Sequence, residues 1–161
     1  NNLGVAFTKK KNYDEAISVF KKALSLNKNH AGARFNLGVV YSEKGMTSEA
    51  IDEYNEALRL TPNDLSALYN RGVLCIQSGK FPGATADMKK IIEINPKLSA
   101  AHHKLGDVYQ KQGHFDDAIA EYKRALEISP DLKEALTSLE DTYRLKEKKT
   151  KNPGSRGIRK R

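Results

Sequence analysis

Apolar positions along this chain return in two alternating helical patterns. In the first, Ala33, Leu37, Gly38 and Tyr41 recur as Ala67, Arg71, Gly72 and Cys75 and again as Ala101, Leu105, Gly106 and Tyr109. Offsets of three and four residues lie on one face of a helix, so this face is predicted to be buried. The second pattern carries Ala16, Phe20, Ala23 and Leu24, then Ala50, Tyr54, Ala57 and Leu58, then Ala118, Tyr122, Ala125 and Leu126. Small residues let two helices approach while the aromatic fills the space beside them. The segments NNLGVAF, FNLGVVY, YNRGVLC and HKLGDVY hold Gly4, Gly38, Gly72 and Gly106 in register at an interval of 34 residues. A unit of this length cannot close a core alone. The pattern therefore predicts an all-α solenoid of stacked helix pairs whose inner wall is a binding surface.

The frames run 31–64, 65–98 and 99–132, after a unit lacking its first turn (1–30) and before a single helix at 133–147. Gly45, Gly79 and Gly113 end the first helices, where a left-handed residue is wanted. Pro62, Pro96 and Pro130 close the units because proline does not extend a helix. Asp14, Glu15, Glu49, Asp116 and Asp117 open the second helices, where the helix dipole favours negative charge. The third frame departs: Pro82 replaces the acid, Met88 the aromatic and Ile91 the alanine. This unit is expected to pack differently and to be the softest. Residues 133–147 repeat the first-helix pattern through Ala135, Leu136, Leu139 and Tyr143, with Glu140 in place of the glycine. They read as a capping helix with a polar outer face, which the end of a solenoid requires.

The formal charge of +8 suggests a nucleic-acid binder until it is divided along the chain. Residues 1–143 carry 19 basic against 19 acidic side chains, whereas from Arg144 onward nine basic residues face only Glu147. All the excess charge sits in the tail, and residues 148–161 are expected to be disordered. Cys75 is the only cysteine and falls at a core position, so no intramolecular disulfide forms. That permits a reducing, cytoplasmic setting without establishing one. No apolar run approaches the roughly 20 residues that span a bilayer. The chain opens on Asn1 within a helical pattern, so its native N-terminus is expected to lie upstream.

The alternation of Leu-Gly, Tyr, Gly, Ala, aromatic, Ala and Pro resembles the tetratricopeptide repeat across residues 1–143. FNLGVVYSEKG and AIAEYKRALEISP resemble repeats of the superhelical type found beside O-linked N-acetylglucosamine transferase catalytic domains. The resemblance implies a right-handed α-solenoid of antiparallel helix pairs whose first helices line a concave groove. Spacing leaves one face of each first helix free. That face carries Asn2, Val5, Thr8 and Lys9, then Phe35, Asn36, Val39, Ser42 and Glu43, then Tyr69, Asn70, Val73, Ile76 and Gln77, then His103, Lys104, Asp107, Gln110 and Lys111. Asn2, Asn36 and Asn70 form a ladder of amides able to donate to and accept from a peptide backbone. Phe35 and Tyr69 are aromatic anchors outside the core stripe, with packing on a neighbouring helix as their alternative role. The wall is expected to be apolar through Val39, Val73 and Ile76 and charged from Asp107 onward. Family members that clamp carboxylates use several cations here; only Lys104 is present at the ladder position, which disfavours that role. Arg71 is expected to snorkel along its own helix.

The four histidines show no i, i+4 pairing, so no metal site and no cofactor are expected. Cys75 lacks exposure and a base, and no strand precedes a glycine-rich phosphate loop, so the chain is not expected to be an enzyme. The expected function is an interaction scaffold or adaptor that binds an extended or helical segment of another protein. Two alternatives follow from the same residues. The basic tail could hold nucleic acid or an anionic membrane surface, or the repeats could be the non-catalytic part of a larger enzyme such as a glycosyltransferase. The truncated first unit also exposes apolar surface that a second copy could cover.

Overall fold

A computed structural model describes residues 1–151. In chain order the helices are α1 (Asn2–Lys9), α2 (Tyr13–Leu26), α3 (Ala31–Glu43), α4 (Thr47–Leu60), α5 (Leu65–Gln77), α6 (Phe81–Ile94), α7 (Ser99–Lys111), α8 (Phe115–Ile128) and α9 (Lys133–Lys151). They divide into two compact units: Asn1–Pro96 with α1 to α6, and a second beginning at Lys97 with α7 to α9. Within the first, each helix packs on the next, and α1 touches α3 as α3 touches α5. Within the second, α8 packs on both α7 and α9, and α7 also meets α9.

The helix boundaries follow local chemistry. Gly45, Gly79 and Gly113 adopt φ of +75°, +70° and +76°, a region that costs a side-chain-bearing residue steric strain. Lys11 occupies the same position in the first repeat and also has positive φ, 60°, which the sequence pattern did not signal. At α5 the Asp64 carboxylate accepts from the amides of Ser66 and Ala67; at α3 the His30 Nδ1 accepts from Ala33, so this loop histidine is a helix cap. Pro82 sits in the first turn of α6, where its missing N–H is unneeded.

Helix pairs close over the register glycines. A Cβ built at Gly4, Gly38 or Gly106 would lie 2.6, 2.8 or 2.6 Å from the ring of Phe20, Tyr54 or Tyr122. The rings are fully buried and lie directly on helix backbone. In the third repeat the atom over Gly72 is the Met88 methyl, at 2.3 Å from such a Cβ. That repeat is thus packed with a flexible thioether where the others use a ring.

Its charges are rearranged as well. Arg34 pairs with Glu53 at 2.9 Å, and one register on by two repeats His102 Nδ1 donates to Glu121 at 2.7 Å. Between them the cation and the leucine have exchanged places: Leu68 stands at the Arg34 position and Arg71 at the Leu37 position. Arg71 does not snorkel freely. Its Nε and Nη2 donate to both oxygens of Asp87 at 3.0 and 2.5 Å, and its Nη1 donates to Asn55 at 2.7 Å. Asp87 is only 2 % exposed, so the acid kept at the Glu53 position retains a partner from a different turn of the facing helix.

The last helix departs from expectation in two ways. It runs through Lys151, four residues beyond the expected cap, because nothing in Lys148–Lys151 breaks a helix and cations suit its C-terminal end. Its outer face is not wholly polar, since Leu136, Tyr143 and Leu145 are 43, 41 and 42 % exposed while Ala135 and Thr142 are buried. Of the tail, residues 152–161 lie outside the described residues.

Candidate functional site

Helices α3 and α5 of the first unit, with Tyr54 of α4 between them, enclose a shallow groove of about 170 Å³. Val39, Ser42 and Glu43 from α3 and Tyr69, Asn70, Val73 and Gln77 from α5 line it, seven residues assigned to the free face by spacing. Leu74 completes the wall. The helical repeat explains the assembly: Val39 and Val73 are one register apart, so α3 and α5 present the same row side by side.

Tyr54 forms the floor, 1 % exposed, and shares the groove lining with the Asn70 side chain. Burial pushes this phenol up to about 12; the Asn70 side chain opposes the shift and the Glu43 charge adds to it. The ladder amides differ in their surroundings. Asn70 is half-buried beside Tyr54 in the groove lining, Asn36 Nδ2 donates to Asn1 Oδ1 at 3.0 Å, and Asn2 is exposed on α1. Phe35 takes its alternative role and packs on Tyr54, ring centroids 5.8 Å apart.

Two residues assigned as outward are buried: Ile76 is 8 % and His103 7 % exposed. Spacing reported only the face away from a repeat's own second helix, whereas first helices of successive repeats also touch, as α7 meets α9. His103 Nε2 accordingly lies 3.2 Å from Ser138 Oγ of α9 and 3.5 Å from Asp107, its ring tilted on Tyr122 at 5.7 Å. Burial lowers its pKa, with Asp107 opposing. Asp107 accepts from the Tyr122 hydroxyl at 2.9 Å and from Lys104 Nζ at 2.8 Å. Gln110 donates to Thr142 at 2.7 Å, and Thr142 to the Ser138 carbonyl at 2.6 Å. The charged end of the expected wall is therefore a largely self-satisfied network, with Lys111 exposed beside it.

Part of the basic C-terminal segment is also committed within its own unit. Lys146 pairs with Asp116, and Lys149 Nζ donates to the Gly113 carbonyl at 3.2 Å and lies 5.1 Å over the Phe115 ring. Burial raises the Cys75 thiol, opposite to what a nucleophile needs. Among the described residues no three His, Cys, Asp or Glu side chains are grouped to hold a metal, and no helix is long and apolar enough to cross a membrane.

Family models described as tetratricopeptide repeat match residues 7–70, 65–98 and 99–132, the last two coinciding with the repeat frames. The chain belongs to the tetratricopeptide repeat family. A search of curated protein sequences gives no match. Solved structures reproduce the fold, an α-solenoid of antiparallel helix pairs. The MamA protein superposes with a TM-score of 0.85 at 24 % identity, over 98 % of this chain and 93 % of that one. YrrB, described as a tetratricopeptide repeat protein with an unusual peptide-binding site, gives 0.81 at 25 % identity over 91 and 75 %. A tetratricopeptide repeat protein from Parabacteroides merdae gives 0.81 at 27 % over 93 and 59 %. The fold is that of a protein–protein interaction scaffold.

Proposed function

We propose that this repeat protein is an adaptor that binds an extended segment of a partner protein in the groove between α3 and α5. The observation that carries the reading is the groove's lining, in which Val39 and Val73 stand beside Tyr69 and the Asn70 amide, all half-buried on one wall. Half-exposed valines gain by being covered, at about 25 cal/mol for each Å² of apolar surface removed from water. Tyr69 supplies a large ordered contact at low entropic cost. The guest's backbone finds donors and acceptors in Asn70, Ser42 and Gln77. The peptide-binding site of YrrB, on a similar fold, supports the same assignment.

The test is a selection of random peptides on the immobilised chain, followed by direct titration of the enriched sequences. Val39→Asp combined with Val73→Asp should weaken every enriched peptide by at least about tenfold, since charge enters the surface that the guest must desolvate. Helix content by circular dichroism should not change. Enriched peptides that bind the double variant as tightly as the parent would remove the groove from consideration.

A further inference from the structure

The groove contains one charged side chain among the described residues, Glu43, and it has no ion-pair partner there. Lys44, next in sequence, is bonded instead to Asp14 at 2.5 Å. Among the described residues the only polar contact on the Glu43 carboxylate is a long one, from the Tyr13 hydroxyl at 3.4 Å. Tyr13 thus stands beside an exposed acid with spare capacity, and Tyr54 and Tyr69 line the same groove. We propose that the groove selects a segment carrying a lysine or arginine side chain, whose cation is held by Glu43 and whose stem lies along Tyr69 and the valine row. This rests on the reading of the groove as a peptide site and adds the chemistry of the guest.

Several physical terms point the same way. Glu43 is the last residue of α3, where the carbonyl ends of the helix add partial negative charge. Its field reaches the neighbouring hydroxyls: after burial, the Glu43 charge is the next cause raising Tyr13, and it contributes to raising Tyr54. Aromatic faces attract a cation and accept its methylene stem, so tyrosine and carboxylate act together on the same guest. The feature is local to this groove. At the same register the following repeats carry Gln77 and Lys111, neutral and then basic. An acidic guest would meet repulsion from Glu43, and an apolar one would strip water from the carboxylate without replacing it.

A synthetic library of short peptides tests this on the full chain, with the central position fixed as lysine, arginine, norleucine or glutamate and the remaining positions randomised. The lysine and arginine sets should be retained over norleucine by about tenfold, the scale of one charge-assisted hydrogen bond. Glu43→Gln should erase that preference, lowering lysine and arginine retention to the level of norleucine, and Glu43→Lys should shift it towards glutamate. Equal retention of lysine and norleucine, or a lysine preference that survives Glu43→Gln, overturns the cation assignment. If retention is nevertheless lost in the Val39→Asp, Val73→Asp variant, the groove reading stands without it. No retention of any set, or retention indifferent to the valine substitutions, overturns both.

Discussion

The two units solve one problem differently, namely what to do with the hydroxyl of the aromatic that lies on a register glycine. In the first unit Tyr54 has the neutral Asn70 amide beside it in the groove lining, Val39 and Val73 remain apolar, and a groove stays open. In the second the carboxylate of Asp107 stands at the valine register and takes the Tyr122 hydroxyl, Lys104 and His103 into one network closed by α9. A neutral partner from the next repeat leaves a wall free to receive a guest. A charged partner recruits counter-charges from its surroundings and uses up the wall. The register position of Val39, Val73 and Asp107 therefore sets whether a repeat presents a surface or an internal network.

The largest effect expected of any single change lies on the opposite side of the first unit's repeats, where Arg71 holds Asp87. Arg71→Leu restores the leucine seen at Leu37 and Leu105 but strands a carboxylate that is 2 % exposed. Removing one partner of a buried pair costs about 3–5 kcal/mol. Adding Leu68→Arg should recover most of that loss, because it rebuilds the arrangement of Arg34 with Glu53. Urea denaturation of the parent, the single and the double variant decides the matter. A double variant no more stable than the single would mean that the exchange of Arg and Leu is not a compensated pair.

A smaller effect separates the units at their glycines. Gly106→Ala drives a methyl against the Tyr122 ring, whose hydroxyl is tied to Asp107; Gly72→Ala meets first the Met88 methyl at the end of a flexible chain, with Asp87 Cβ at 3.3 Å behind it. Overpacking of the stiff site costs about 1–3 kcal/mol, offset by the gain of about 1 kcal/mol from replacing a helical glycine. Gly106→Ala should thus lower stability by up to about 2 kcal/mol, and Gly72→Ala, whose nearest neighbour is a flexible methyl, should cost less. Thermal melts of the two variants report the ranking. The reverse order would contradict the view of the third repeat as the more yielding one.

The helices, their glycine turns and the row Val39, Tyr69, Asn70, Val73 were readable from spacing, because each depends on residues within one repeat or on exact repetition. What spacing missed lies where a residue's partner belongs to another element or where a repeat breaks its own rule. His103 is outward by its own helix and inward once Ser138 of α9 faces it. Arg71 looked like a lone substitution because its meaning lies in Leu68, Asn55 and Asp87 together. Glu43 was placed on the free face by spacing, but it is glutamine and lysine at the next two registers, so only the groove singles out its charge. A signal for the Arg71 exchange did exist: an acid persists through Glu53, Asp87 and Glu121, and a persistent acid asks where its cation has gone.

The smallest effect expected is a dependence on pH that belongs to the second unit. Burial lowers the His103 pKa below its ordinary 6.5, while Asp107 and Glu134 oppose the shift and Lys104 reinforces it. The folded state therefore takes up the proton less readily than the unfolded chain does. Stability contributed by neutral His103 is present above 6.5 and is lost as the pH falls through 6.5 towards the lower folded value. His103→Gln keeps a side chain able to bond Ser138 and removes the titration. Melting temperatures taken from about pH 7.5 down to about pH 5.5 should fall more steeply for the parent than for His103→Gln, carboxylate effects being common to both. Parallel profiles would mean that the imidazole stays wet enough to titrate alike in both states. The polar wall of the second unit would then be open to solvent, and the contrast with the first would rest on the groove alone.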